Sequence, residues 1–180
     1  MRALLPSLLC LALPTHAAAG AAPASTKAAA PKPVVATATL QSRSNSTVTG
    51  LVTFTQTGTE MKVHIEVKGA TAGNHAVHIH EKGDCSAADA SSAGSHFNPE
   101  AKAHGDMTMP MHHPGDFGNL TVGSEGTGVK DLTTTGITFT AGQLLTITNL
   151  SVIVHEKPDD FSQPTGNAGG RQACGVITLQ

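Results

Sequence analysis

The chain has 180 residues and a net charge of −2, a length suited to one ordinary domain and a balance that gives no support to nucleic acid or an anionic membrane surface as partner. Ten His and 19 Gly stand beside five Phe and neither Trp nor Tyr. Richness in Gly, Thr and Val favours short strands joined by turns.

In chain order, the first element is an export signal. Arg2 is its minimal basic region, an apolar run follows from Ala3 to Pro14, and Ala17-Ala18-Ala19 supplies a cleavage site of small residues. Residues 1–19 are therefore expected to be removed and the protein to be exported. That run is shorter than the roughly 20 residues a bilayer requires, and no later segment approaches that length, so no membrane span is expected. Cys10 lies within the signal behind Ser7-Leu8-Leu9, a poor lipoprotein site. Residues 20–33 are Ala- and Pro-rich with too little large apolar content to bury, which predicts a flexible tether. The domain proper is expected over 34–180.

From Val34 the pattern has period two: VVATATLQ, STVTGLVTFTQ and KVHIEVK read as antiparallel strands separated by turn residues. HAVHIH, GNLTVGSEGTGV, ITFT, LSVIVHE and CGVITLQ continue the series. The reading is an all-β domain, an eight-stranded antiparallel β-sandwich or barrel. Two stretches, Glu81 to Gly118 and Glu156 to Arg171, break the strand pattern, and loops of such length usually carry function or are disordered.

The chemistry gathers there. His78 and His80 stand at i and i+2 of one strand, on one face, where two imidazoles can converge on a metal; by itself such a pair is equally well a half-buried polar pair. The first long loop supplies His96, His104 and His113, with Asp116 three residues on, the N/O set a closed zinc site requires. His155 ends LSVIV and Asp159 follows; a further His joining the HxH pair suits copper. Without the signal, Cys85 and Cys174 remain, which in an oxidising compartment form a disulfide or else stay two separate buried thiols.

The strings GNHAVHIHEKGDC, AGSHFNPEAKAHG, HPGDFGNL, VHEKPDD and GNAGGRQACGVI resemble, in order and spacing, the signature segments of the copper/zinc superoxide dismutase family. The resemblance covers most of Ala70 to Gln180 and implies an eight-stranded Greek-key barrel with two functional loops. It implies copper ligands His78, His80, His96 and His155, zinc ligands His96, His104, His113 and Asp116, and one copper and one zinc per chain. His96 would bridge the metals, and Asp159 would link His78 to His104 and fix their rings. Cys85 and Cys174 match the family disulfide, His75 matches a structural histidine, and Arg171 matches the arginine that attracts superoxide. The reaction implied is conversion of superoxide to dioxygen and hydrogen peroxide by copper redox cycling, protecting against superoxide outside the cytoplasm. His96 would supply a proton. The alternative from another class is a non-catalytic copper carrier of the same fold, which the intact copper positions and Arg171 disfavour.

Two departures stand out. The second loop, DFSQPTGN, lacks the Glu and Lys residues that guide superoxide in many eukaryotic members and resembles the exported bacterial branch, which implies the periplasm in a Gram-negative organism and secretion otherwise. That branch includes homodimers and monomers. Steering would rest on Arg171 with lysines such as Lys82, Lys102 and Lys157. The second departure is DMTMPMHH, where Met107, Met109, Met111 and His112 offer either an auxiliary copper-capture site or gap-filling side chains in an irregular loop. His64 reads as an ordinary strand histidine. Asn45, Asn119 and Asn149 each begin an N-x-S/T sequon, read as incidental.

Overall fold

A computed structural model describes residues 31–180, so the signal, Cys10 and the tether up to residue 30 lie outside the described residues. Period-two patterning produces strands with one buried face. In β1 (Val34–Ser42) Ala36, Ala38 and Leu40 are buried, and in β3 (Glu60–Lys68) Met61, Val63, Ile65 and Val67 are buried between exposed Lys62 and Glu66. The other strands are β2 (Thr49–Thr57), β4 (Gly73–His80), β5 (Asp116–Val122), β6 (Thr127–Thr134), β7 (Ser151–His155), β8 (Arg171–Val176) and the two-residue β9 (Thr178–Leu179).

Every strand pairing is antiparallel, in the order β2-β3-β6-β5-β4-β7-β8-β1, and β1 pairs back onto β2 to close an eight-stranded barrel; β9 adds to β1. The β3–β4 and β6–β7 connections each pass over two intervening strands, the Greek-key arrangement. Four of the five Phe are buried in the core, Phe54, Phe97, Phe117 and Phe139, and the Phe54 ring centroid lies 6.4 Å from Phe117 and 6.2 Å from Phe139. Aliphatic neighbours such as Leu40, Ile65, Ile79 and Leu120 complete this core.

The strand count agrees with the sequence reading, but the segments differ. GNLTVGSEGTGV is a hairpin, because Gly126 at φ 73° turns the chain and Gly123 N donates to Thr127 O at 2.9 Å. ITFT is no barrel strand. Ile137 and Phe139 are buried in the core, yet the segment pairs only through an isolated bridge from Thr138 to Thr146, and the Gln56 side chain takes the Phe139 N–H at 2.7 Å. The first long loop also ends earlier than expected, since Asp116 already belongs to β5.

Strand β4 is buried from His75 onward on both faces. Val77 and Ile79 enter the core, which leaves His78 and His80 on the outer face beneath the long loop. A bulge between Ala76 and His78 shifts the register against β5 at this point. Among the described residues no helix is long and apolar enough to cross a membrane.

Candidate metal centre

Backbone pairing brings the long loop onto β4. Glu81 N donates to Ser95 O at 2.9 Å and Phe97 N to Ile79 O at 2.9 Å, so His96 lies in antiparallel register beside His80. Ile79 N in turn donates to Gly115 O at 3.0 Å, and Gly115 approaches so closely that an added Cβ would lie 2.6 Å from the Ile79 Cβ. Cys85 and Cys174 form the disulfide, their Cα atoms 5.7 Å apart, and join Ala90, Ala93 and Ile153 in a small apolar cluster outside the barrel. This cluster fixes the start of the loop against β7 and β8, and the Arg43 Nε–H bond to Cys85 O at 2.8 Å adds to the hold.

Two ligand-rich clusters result. His78, His80, His96 and His155 place one ring nitrogen each within 4.8 Å of one another, and His96, His104, His113 and Asp116 do the same with one atom each. None of these seven side chains is more than 7% exposed. Nδ1 of His78, Nε2 of His80, both nitrogens of His155, and Nδ1 of His96, His104 and His113 are buried without a hydrogen-bond partner, as is Asp116 Oδ1. Buried polar atoms are normally satisfied. So many orphans converging on two points fit two metal ions: an imidazole-rich site of the kind copper favours and a His3Asp site of the kind zinc favours.

His96 belongs to both sets. Its Nδ1 lies 3.4 Å from Asp116 Oδ1, which leaves Nε2 for the group around His78, whose ring centroid is 4.2 Å away.

Hydrogen bonds fix which nitrogen each ring offers. His78 Nε2 donates to Asp159 Oδ2 at 2.8 Å, and His104 Nε2 donates to Asp159 Oδ1 at 2.9 Å, so one buried carboxylate holds a ring of each cluster and directs both Nδ1 atoms inward. His80 Nδ1 donates to Gly94 O at 3.0 Å. His75 Nδ1 donates to His155 O at 2.8 Å, the supporting role expected of it. His64 is outside both clusters; on β3 its Nδ1 pairs with Asp131 on β6 at 2.7 Å, a partner not visible in the sequence.

Electrostatics divides the two clusters. Burial depresses His80 to about 3 and His96 to about 4, and drives His155 well below the ordinary range, so these rings keep neutral, ligating nitrogens. Burial also opposes charge on His104, but the nearby carboxylates of Asp116 and Asp159 prevail and raise it to about 9. Burial opposes ionisation of Asp116 and Asp159 too, but the neighbouring imidazoles hold both far below the carboxylate range. The carboxylates of Asp116 and Asp159 thus favour positive charge at His104.

A cavity of about 380 Å³ reaches His80, His96 and His155, walled by Ser95, Thr165, Asn167, Gly169 and Arg171. Arg171 donates to Ala90 O at 2.7 Å and to Gly94 O at 2.8 Å, and the second of these carbonyls also holds His80. Lys82, Lys102 and Lys157 do not line the cavity; Lys102 pairs with Glu100 at 2.8 Å.

Sequence reasoning missed three positioning residues. Asn119 grips the backbone of Asp159 from both sides, Nδ2 donating to the Asp159 carbonyl at 3.0 Å and Oδ1 accepting its N–H at 2.7 Å. Gln163 does the same to His104, at 2.7 Å and 3.1 Å. Gly166, at φ 73°, lies against the Asp159 carboxylate, and an added Cβ would come within 2.7 Å of His104 Nε2. The Asn119 sequon, read as incidental, belongs to an amide that bonds the Asp159 backbone through both its nitrogen and its oxygen.

The sequence profile of the copper/zinc superoxide dismutase (SODC) family matches residues 48–177. An extracellular superoxide dismutase [Cu-Zn] of Drosophila melanogaster is 43% identical over 145 residues, covering 76% of this chain and 78% of the relative. One from Brugia pahangi is 38% identical over 148 residues, covering 75% and 71%. With the ligand clusters and the barrel, these matches show that the chain belongs to the copper/zinc superoxide dismutase family.

Proposed function

We propose that His78, His80, His96 and His155 hold copper, that His96, His104, His113 and Asp116 hold zinc, and that this centre dismutates superoxide to dioxygen and hydrogen peroxide. The observation that carries the assignment is the pair of buried, partnerless nitrogen sets that share His96. Bound there, copper would supply one-electron redox chemistry toward superoxide and zinc a fixed, redox-inert charge.

The protein's part is positional and electrostatic. The rings of His80 and His155 form the floor of the cavity, and Arg171 stands beside them with the guanidinium braced by two carbonyls. Its positive charge draws in the superoxide anion and donates hydrogen bonds to it. His96 Nε2 faces the copper side and can carry a proton to the reduced product, while Nδ1 stays engaged with the Asp116 cluster. Asp159 keeps the two halves in register through His78 and His104.

The exported location suits the disulfide, which persists in oxidising compartments, and suits relatives named as extracellular. We place the enzyme outside the cytoplasm, in the periplasm of a Gram-negative source or secreted from another. The test of the ligand assignment is selective removal. His155→Ala is expected to lose copper and dismutation while retaining zinc, and His113→Ala to lose zinc first. Equal retention of both metals by both variants contradicts the assignment.

A further inference from the structure

Three of the chain's five Met fall at alternate positions in DMTMPMHH, as Met107, Met109 and Met111. A methionine that fills a gap in packing is buried, as Met61 is at 0% exposure. Met109 and Met111 are 59% and 56% exposed, and Met107 is half-buried. Gap-filling therefore does not account for Met109 and Met111.

The backbone closes the segment that carries these three residues into a short loop. Asp106 O accepts the Met109 N–H at 2.9 Å, and Asp106 Oδ1 accepts the N–H and hydroxyl of Thr108 at 2.8 Å each, which closes a tight turn. At its base Gly105 meets the returning chain so closely that an added Cβ would lie 2.5 Å from Met111 O. Met107, Met109 and Met111 thus sit on one short loop whose ends touch. Beside it, His112 Nδ1 donates to His113 O at 2.8 Å, so Nδ1 carries the proton and Nε2 keeps its lone pair. His112 is part of neither buried cluster.

We propose that Met107, Met109 and Met111, together with Nε2 of His112, form a separate site that captures one monovalent copper ion. Thioethers are soft neutral ligands; they select Cu(I) over zinc and over hard cations, whereas the buried clusters offer only imidazole and carboxylate. A short loop already closed on itself loses little chain entropy in bringing its side chains to one ion. The site uses none of the buried ligands and does not rest on the dismutase reading.

To test it, the chain with both buried sites filled is titrated anaerobically with Cu(I) against a chromophoric Cu(I) chelator, and X-ray absorption reads the ligands of the added ion. The wild type is expected to hold one equivalent beyond the two buried metals, with sulfur ligation. The triple variant Met107→Leu, Met109→Leu, Met111→Leu is expected to lose that equivalent while keeping its buried copper and zinc. Single Met109→Leu and Met111→Leu variants alter side chains already in solvent and are expected to release the extra ion to less chelator than the wild type needs. Absence of the extra equivalent in the wild type, or its undiminished retention in the triple variant, overturns the proposal.

Discussion

Asp159 touches neither of the two convergence points, yet both depend on it, because its two oxygens take the outward nitrogens of His78 and His104. Asp159→Asn leaves an amide that cannot accept from both rings, and affinity for each metal is expected to fall by about 10–100-fold, read by competition with a chelator. Unchanged affinity for both would remove the bridge from the account. Gly166→Ala is expected to act on the same bond, since a Cβ at φ 73° would press on Asp159 and His104; metal content after dialysis against chelator should fall as in Asp159→Asn. The residues that converge in the two clusters were legible in the sequence because residue type and spacing pick them out. Asn119, Gln163 and Gly166 were not, because ordinary polar and glycine residues gain meaning only when the fold sets them against Asp159 and His104.

At the scale of elements, β4 and β7 supply a rigid outer face and the long loop is clamped onto it. The clamp is the bond between Cys85 and Cys174, 89 residues apart in sequence, with its small apolar cluster. Replacing both by Ser is expected to lower stability by about 2–5 kcal/mol in denaturant unfolding and to loosen the Gly94 carbonyl that holds His80 and Arg171. An unchanged midpoint would show that the loop needs no such tie. The barrel strands were readable because alternation reports a half-buried sheet directly. ITFT alternates just as well but finds no barrel partner, and periodicity says nothing about whether a neighbour is present.

For the whole molecule, the buried histidines tie stability to metal and pH. In the metal-free protein His80 and His96 titrate at about 3 and about 4, and His155 is also far depressed, whereas in the unfolded chain each titrates near 6.5. The unfolded state therefore binds more protons in that interval, and the denaturation midpoint of the metal-free protein is expected to fall as pH is lowered from about 7 to about 5. His104, raised to about 9, contributes fully below 6.5 and loses its contribution as pH rises toward 9, so it opposes the trend only at the upper end of the window, and the three depressed histidines decide the sign below about pH 6.5. Asp116 and Asp159 stay ionised throughout that window. A midpoint that holds or rises at the lower pH would contradict this balance. Steering is likewise a property of the whole surface: with a net charge of −2, attraction of an anion depends on local cations, and Arg171 is the cationic side chain lining the cavity. Arg171→Ala is expected to lower kcat/KM about tenfold or more and to flatten its dependence on ionic strength.

The most direct test is superoxide dismutation by the copper- and zinc-loaded protein, measured beside the metal-free protein and a loaded His80→Ala variant. Rapid dismutation is expected in the first and its loss in both others. Absence of activity in a protein carrying one copper and one zinc per chain would contradict the dismutase reading, leaving a copper carrier of the same fold.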